Sequence, residues 1–182
     1  VEKYMQYIQL KRLLGDFTVF SLSDARQAEP GFDRRRLSEW QEKGYIRKLI
    51  KGYYIFADQP MEERGIFEIS NRIYAPSYIS FESALAYHGL IPESVYGITA
   101  ASTRKTMSFK TPLGVFIYHA LRPKLYFGFE YVSVGKRYCK VASPEKALLD
   151  YLYLRPDLTG GEDFASLRIN KDVFRARVNP RA

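Results

Sequence analysis

The sequence predicts an α+β protein in two parts: helices with a small sheet over residues 1–58, and a mixed α/β domain with an antiparallel sheet over residues 59–182. Short helical and β-type patterns alternate in the first part, whereas β-type patterns run almost unbroken from Gly97 to Ala142. The composition is 46% hydrophobic, which is enough to form ordered cores. The formal net charge of +8 favours an anionic partner.

The first part is predicted to begin with a helix over residues 3–14, where apolar side chains recur at helical spacing. Residues 16–20 are β-prone, so we expect a small strand there that pairs with a later hairpin. Ser21 or Ser23 then caps a second short helix, because serine oxygen accepts hydrogen bonds from a helix N-terminus. Pro30-Gly31 breaks that helix.

The third helix is predicted to open at Asp33, which suits the positive N-terminal end of a helix, and to end at Gly44. Leu37 and Trp40 lie three positions apart and are expected to bury one face. The side chains that this arrangement turns outward are those of Arg34, Arg35 and Ser38.

A two-stranded hairpin follows, with its turn at Lys51-Gly52. We expect its apolar residues to meet across the turn: Ile46, Leu49 and Ile50 on one strand, Tyr54 and Ile55 on the other. The cations of the hairpin are Arg47, Lys48 and Lys51.

This order of elements is that of a winged helix-turn-helix, whose third helix enters the major groove of DNA and whose hairpin, the wing, contacts phosphate. We expect Arg34 and Arg35 to read base edges, because an arginine fork matches guanine O6 and N7. Ser38 is expected to contact a phosphate or a base, and Arg36 a phosphate or an acidic neighbour. We expect phosphate contacts from the wing cations. The alternative is an ordinary solvated helix and surface hairpin.

The second part is predicted to contain helices over residues 61–74, from a Ser80 cap to Gly89, and from Ser143 to the residue before Pro156. Strands are expected between the last two of these helices. Two short helices are expected after a loop over residues 158–163.

A second basic surface is predicted on this sheet, because residues 98–129 contain no Asp or Glu. Its cations are Arg104, Lys105, Lys110, Arg122 and Lys124. Such an edge would bind phosphate in DNA or RNA. The alternative is a solvated sheet face whose charges discourage aggregation.

No residue pattern indicates a catalytic or metal site. His88 and His119 are isolated, and Cys139 is the only cysteine. We therefore expect no metal, no cofactor and no enzymatic activity. A nuclease would need acids and a lysine around Mg²⁺, and no sequence spacing brings together the candidates Glu82, Glu130, Glu145 and Lys146. Lys146 and Asp150 are four apart and can pair on a helix.

Three separated stretches resemble the AbiEi-type antitoxins, the antitoxin half of type IV abortive-infection toxin–antitoxin systems. The stretches YISFESALAYHGLIPE at 78–93 and VASPEKALLDYLYL at 141–154 are similar to signature motifs of that family. YIRKLIKGYYIFA, at 45–57, resembles its wing. The resemblance implies a winged helix that binds inverted repeats in its operon's own promoter. It also implies a C-terminal domain that counteracts a nucleotidyltransferase toxin without a stable complex.

We therefore expect a transcriptional autorepressor and antitoxin that serves phage defence, with double-stranded DNA as its partner. Two copies are expected on an inverted repeat, as a dimer or as monomers paired on the DNA. The alternative is a nucleic-acid-processing enzyme whose winged helix delivers the C-terminal domain to its substrate. One cysteine, no recognisable signal peptide and no long apolar run lead us to expect a cytoplasmic protein without membrane contact.

Overall fold

The computed structural model describes residues 2–92, 96–158 and 167–179 and has an α+β fold. The elements of the first part are α1 (Glu2–Leu13), β1 (Phe20–Ser21), α2 (Leu22–Ala28), α3 (Arg35–Glu42), β2 (Ile46–Ile50) and β3 (Tyr53–Phe56). The three strands form an antiparallel sheet in the order β1-β3-β2. The predicted order of elements is therefore confirmed for residues 2–56.

Local chemistry explains where these elements begin and end. Ser21 caps α2 through a capping box with Asp24. The Asp33 carboxylate accepts a hydrogen bond from the backbone N–H of Arg35 at 2.9 Å, which satisfies a free donor at the start of α3. Gly44 follows α3 with φ +72°, the left-handed conformation that its predicted role requires. The first strand is shorter and later than predicted: residues 16–19 form turn and bend, and pairing starts at Phe20.

The register of the hairpin differs from the predicted one. Ile46 lies opposite Phe56, Arg47 opposite Ile55 and Lys48 opposite Tyr54, and the register shifts before Ile50. The irregularity arises because two apolar residues, Leu49 and Ile50, follow in direct succession, which strict alternation cannot place on one face.

A small hydrophobic core holds the first part together, with Trp40 in its centre. The indole is 1% exposed and contacts the rings of Tyr7 and Phe32, with centroids 5.5 and 5.6 Å away. Leu37, from the same face of α3, is also buried in this core. The predicted inward face of α3 is therefore confirmed.

The second part contains helices on a larger sheet. Its elements are α4 (Glu63–Ile73), β4 (Ser77–Ile79), α5 (Phe81–Tyr87), β5 (Gly97–Ser102), β6 (Met107–Thr111), β7 (Gly114–Ala120), a 3-10 turn (Pro123–Leu125), β8 (Phe129–Val134), β9 (Arg137–Ala142), α6 (Pro144–Tyr153) and α7 (Lys171–Arg177). The predicted loop at 158–163 and the first of the two short C-terminal helices fall mainly on residues 159–166, outside the described residues.

The six-stranded sheet has the order β6-β7-β5-β4-β9-β8 and is mixed. The prediction of an antiparallel sheet is confirmed for three of the five strand pairs, whereas β5 pairs with β7, and β4 with β9, in parallel. Strand β4 was not predicted. It has only three residues and is buried throughout, so it shows none of the polar–apolar alternation that reveals a surface strand.

A buried polar network joins the two stretches that resemble the antitoxin signatures. The Asp150 carboxylate accepts hydrogen bonds from Tyr78 at 2.8 Å and Ser80 at 2.7 Å, and its other oxygen lies 2.6 Å from Lys146 Nζ. Ser80 stands at the predicted N-cap position of α5, but its hydroxyl donates to Asp150 and does not cap the helix. Burial and the Asp150 charge raise the pKa of Tyr78 above its usual value, which keeps its hydroxyl a donor.

The two parts are joined by packing and by ion pairs. Val19, Leu49 and Ile55 belong to the large core of the second part. Arg72 of α4 contacts Asp24 of α2 at 2.7 Å. Although burial acts to raise the pKa of Asp24, hydrogen bonds from the α2 cap and the Arg72 charge lower it overall.

Phe17 completes this junction. Two guanidinium groups lie over its ring, that of Arg72 at 4.8 Å and that of Arg137 at 3.8 Å from the centroid. Lys136, in the β8–β9 turn, contacts Asp16 at 3.0 Å.

None of the helices within the described residues has both the length and the apolar character of a membrane-spanning segment.

Candidate nucleic-acid interface

Helix α3 presents its polar face to solvent because its other face is fixed in the small core. Leu37 and Trp40 are 2% and 1% exposed, whereas Arg34, Arg35 and Ser38 are all exposed. Within the described ranges, no residue forms a salt bridge or side-chain hydrogen bond with Arg34 or Arg35. Two guanidinium groups therefore stand free at the N-terminal end of a helix, where the helix dipole adds positive potential.

Arg36 behaves differently from its two neighbours. Its Nη1 lies 2.7 Å from the Glu29 carboxylate, and its guanidinium lies over the Phe32 ring at 5.4 Å. Of the two destinations that the sequence left open, the acidic neighbour is the one seen in the structure. Arg36 therefore ties α3 to the end of α2 and supports the arginines beside it.

The hairpin β2–β3 carries the second group of predicted contacts. Arg47, Lys48 and Lys51 are exposed, and they have no salt-bridge partner among residues 2–92, 96–158 and 167–179. Gly52 beside Lys51 has φ +87°, so the turn has the conformation that glycine adopts without strain.

This hairpin is anchored on the second part of the protein near its turn, whereas Ile46 and Phe56 at its base belong to the small core. Leu49 and Ile55 are buried in the large core, and Ile50 and Tyr53 pack against it. The hairpin cations therefore lie on a strand pair whose apolar residues pack against the core of the second part. An isolated two-stranded hairpin would be marginally stable in water.

The cations of the predicted second basic surface are exposed, but the structure places only Lys110 beside this hairpin. Arg104, Lys105, Lys110, Arg122 and Lys124 are all exposed. Strand β2 contacts β6, the edge strand that carries Lys110, so the hairpin and this edge lie side by side. Arg104 is partly engaged within the protein, because it stacks on Tyr74 at 4.1 Å and donates to the Ala75 carbonyl at 3.2 Å.

The residues considered for nuclease chemistry have other contacts. Lys146 is buried in its pair with Asp150, and the Glu145 carboxylate accepts a hydrogen bond from the backbone of Asn179 at 2.7 Å. Burial raises the pKa of the Cys139 thiol to about 11, so it is protonated at neutral pH. Among the residues that the structure describes, no group of three or more His, Cys, Asp or Glu side chains could hold a metal ion.

A cavity of about 740 Å³ brings together Glu82 and His119. It lies against β5, β7, α5 and α6, and half of its lining residues are aliphatic. Burial lowers the pKa of His119, opposed by the nearby Glu82 charge, so the imidazole is neutral at neutral pH. The volume lies within the range of small-molecule sites, but sequence periodicity gives no signal of it, because its lining comes from distant segments.

An exposed group of aromatic rings at the outer edge of the sheet was also missed. Tyr131 and Tyr138 are 66% and 64% exposed, and they lie on the strands β8 and β9. The aromatic density of YFGFEY, residues 126–131, is the signal that would have indicated it. Aromatic residues are equally typical of buried strand positions, so the β pattern alone does not reveal their exposure.

Comparison with known proteins adds no family to these observations: no model of a known protein family matches this chain, and no curated protein matches it.

Proposed function

We propose that residues 1–58 form a winged helix-turn-helix domain that binds double-stranded DNA, with α3 in the major groove and the hairpin β2–β3 as the wing. The order of elements supports this proposal, as does the exposure of cations on both α3 and the hairpin. The observation that carries it is the pair Arg34 and Arg35. Both are exposed and free of salt bridges among the described residues, on a helix whose opposite face is buried at Trp40.

In this proposal the two arginines contact base edges, and the wing contacts phosphates and so fixes the position of the protein on the duplex. A guanidinium fork donates to guanine O6 and N7, and each good pair discriminates against the wrong base by about 1–3 kcal/mol. Ser38 follows on the same exposed face of α3 and contacts a base or a phosphate. Lys51 at the wing tip contacts phosphate together with Arg47 and Lys48, which adds affinity without sequence preference.

We further propose that the protein represses its own operon and acts as the antitoxin of a type IV toxin–antitoxin system. The support is the resemblance at residues 45–57, 78–93 and 141–154. The proposed role is to counteract a nucleotidyltransferase toxin without binding it stably, in the cytoplasm. One short helix defines only a short half-site, so two copies bind an inverted repeat.

Binding to the DNA directly upstream of the protein's own gene tests the DNA-binding proposal. We expect the double variant Arg34→Ala, Arg35→Ala to lose at least tenfold in affinity, about 1.4 kcal/mol. The matched control is Lys171→Ala, Arg175→Ala on α7, which removes the same charge from an exposed helix. Equal losses in the two double variants would reduce the role of α3 to net charge and contradict the proposal.

A turnover assay distinguishes the nuclease alternative from the proposed DNA-binding protein. Purified protein with Mg²⁺ and labelled DNA or RNA is expected to leave the substrate intact. Repeated cleavage that survives further purification would overturn the proposal of a binding protein without enzymatic activity.

A further inference from the structure

The outer edge of the six-stranded sheet carries exposed aromatic side chains around one lysine. We define the aromatic surface as Tyr126, Phe127, Phe129, Tyr131, Tyr138 and Lys140. Phe127, Tyr131 and Tyr138 are 54%, 66% and 64% exposed, so three large rings face solvent within 12 residues of chain. Large rings are normally buried, so a group of exposed rings indicates a contact surface.

The register of β8 and β9 places three of these rings, Phe129, Tyr131 and Tyr138, on one face. Tyr131 lies opposite Lys140, and Ser133 lies opposite Tyr138. Residues opposite each other in a strand pair share a face, and so do residues two apart on one strand. Tyr131, Tyr138 and Lys140 therefore project from the same side of the sheet, and Phe129 belongs to that side as well.

Three of the rings, Tyr126, Phe129 and Tyr131, are preorganised by contacts with one another and with Lys140, whereas Phe127 lies under Lys146 Nζ at 4.6 Å. The ring centroids of Phe129 lie 5.3 Å from Tyr126 and 6.2 Å from Tyr131. Lys140 Nζ lies 5.2, 5.8 and 5.9 Å from the rings of Phe129, Tyr131 and Tyr126. These contacts hold a positive charge in the middle of the rings.

The charge around this surface is one-signed. Lys140 has no salt-bridge partner among the described residues, and the exposed Arg122 and Lys124 lie just before Tyr126 in the chain. Glu130 is the only acid in β8 and β9; it lies opposite Val141, on the other face of the sheet. A ligand on the aromatic surface therefore meets flat rings and positive charge together.

We propose that the aromatic surface binds single-stranded nucleic acid. Bases stack on Tyr131, Tyr138 and Phe127, while phosphates contact Lys140 and Lys124. Aromatic rings interleaved with cations suit this ligand because every unpaired base offers a flat π-face and every nucleotide a negative charge. A DNA duplex keeps its base faces stacked inside, so it cannot use the rings.

A second copy of this chain fits the surface less well. A symmetric contact would bring Lys140 and Lys124 against the same charges of the other copy, at a protein net charge of +8. The proposal is separate from duplex binding by α3, and it assigns a function to Lys124 of the second basic surface.

Fluorescence anisotropy with the full chain tests this proposal. The probes are oligo(U) and oligo(dT) of about 12 nucleotides, within the usual site sizes, and the upstream DNA duplex. Tyr131→Ala, Tyr138→Ala should weaken binding of the single strands by about fivefold to a hundredfold per ring while duplex binding stays unchanged. Tyr153→Ala, an exposed tyrosine on α6, is the matched control and should change neither.

Lys140→Gln gives a second measurement that does not depend on the rings. It should reduce the dependence of single-strand affinity on salt by about 0.7 in the log–log slope, the loss of one phosphate contact. Tighter binding of oligo(U) than of oligo(dT) would identify RNA as the ligand, through its 2′-hydroxyl groups.

Equal single-strand affinity of the wild type and the double tyrosine variant would overturn the proposal. The proposal would also be overturned if the wild type forms a dimer in solution and the double tyrosine variant is a monomer, because the aromatic surface would then serve self-association. Loss of duplex binding in Arg34→Ala, Arg35→Ala concerns α3 alone, so failure of either proposal is recognised separately.

Discussion

The pair Lys146–Asp150 offers a sharp test of how the second part is held together. Both side chains are almost fully buried, 4% and 2% exposed, and their charged atoms lie 2.6 Å apart. Replacing Lys146 by methionine keeps most of the side-chain volume but leaves the Asp150 carboxylate buried with only two hydroxyl donors, Tyr78 and Ser80. Removing one partner of a buried pair costs about 3–5 kcal/mol.

We expect Lys146→Met to fall at the lower end of this range, near 3 kcal/mol, because the two hydroxyl hydrogen bonds remain. Denaturation by urea, followed by far-ultraviolet circular dichroism, measures the loss. Asp150→Asn leaves the ammonium group without its counter-charge and is expected to cost a similar amount. The double variant removes both charges, so its loss should be smaller than the sum of the two single losses.

An additive double-mutant cycle would refute this reasoning, since it would mean that the two charges do not stabilise each other. A loss below about 1 kcal/mol for Lys146→Met would also refute it, because such a value is typical of exposed pairs.

Three further perturbations probe the scaffold. Trp40→Ala should lower the free energy of unfolding by about 3–5 kcal/mol, because the indole fills the centre of the small core. It should also abolish duplex binding. Thermal unfolding and binding assays measure these two effects, and intact binding would contradict the role of the indole. Gly97→Ala should destabilise by about 1–3 kcal/mol, because its Cβ would lie 2.8 Å from the backbone oxygen of Val115; an unchanged urea midpoint would speak against this close approach. Asp24→Asn should cost stability at neutral pH, because the carboxylate that Arg72 contacts has a lowered pKa in the folded protein. That stabilisation is present above the unfolded pKa of the carboxyl group and is lost as pH falls through the lower folded value, so the stabilities of wild type and variant should begin to converge only as pH falls below about 4; a difference independent of pH would contradict it.

The sequence predicts local elements of this fold well, because their signals are local. The spacing of Leu37 and Trp40 fixes which face of α3 is buried, and the left-handed glycines Gly44 and Gly52 mark a helix end and a turn. The same spacing leaves Arg34 and Arg35 outside. The sequence allows Ser21 or Ser23 as the cap of α2, and the structure shows Ser21. Its capping partner Asp24 lies only three residues away, so this signal is local.

Non-local pairing accounts for most of the differences. Parallel strands need a connection through other elements, so nothing within Gly97–Ser102 reveals that this strand pairs in parallel with β7. Strand β4 is buried throughout and ends directly before Ser80, so its sequence gives no separate strand signal ahead of the predicted helix. The same residue donates to Asp150, which lies 70 positions away along the chain. No periodicity links such positions.

The candidate site divides in the same way. The exposed cations of α3 and the hairpin follow from single elements, whereas the partner of Arg36 depends on where α2 ends. The anchoring of the hairpin through Leu49 and Ile55 depends on the whole second part. The aromatic surface needs the register of β8 and β9 before its rings share a face.

Selection of bound duplexes from a randomised library tests the central claim most directly. If α3 reads bases while the wing contacts phosphate, Arg34→Ala, Arg35→Ala should flatten the preference at a few base positions. Lys51→Ala should instead weaken all sequences alike and leave the preference unchanged. The same base preference in the wild type and in the double arginine variant would contradict the account.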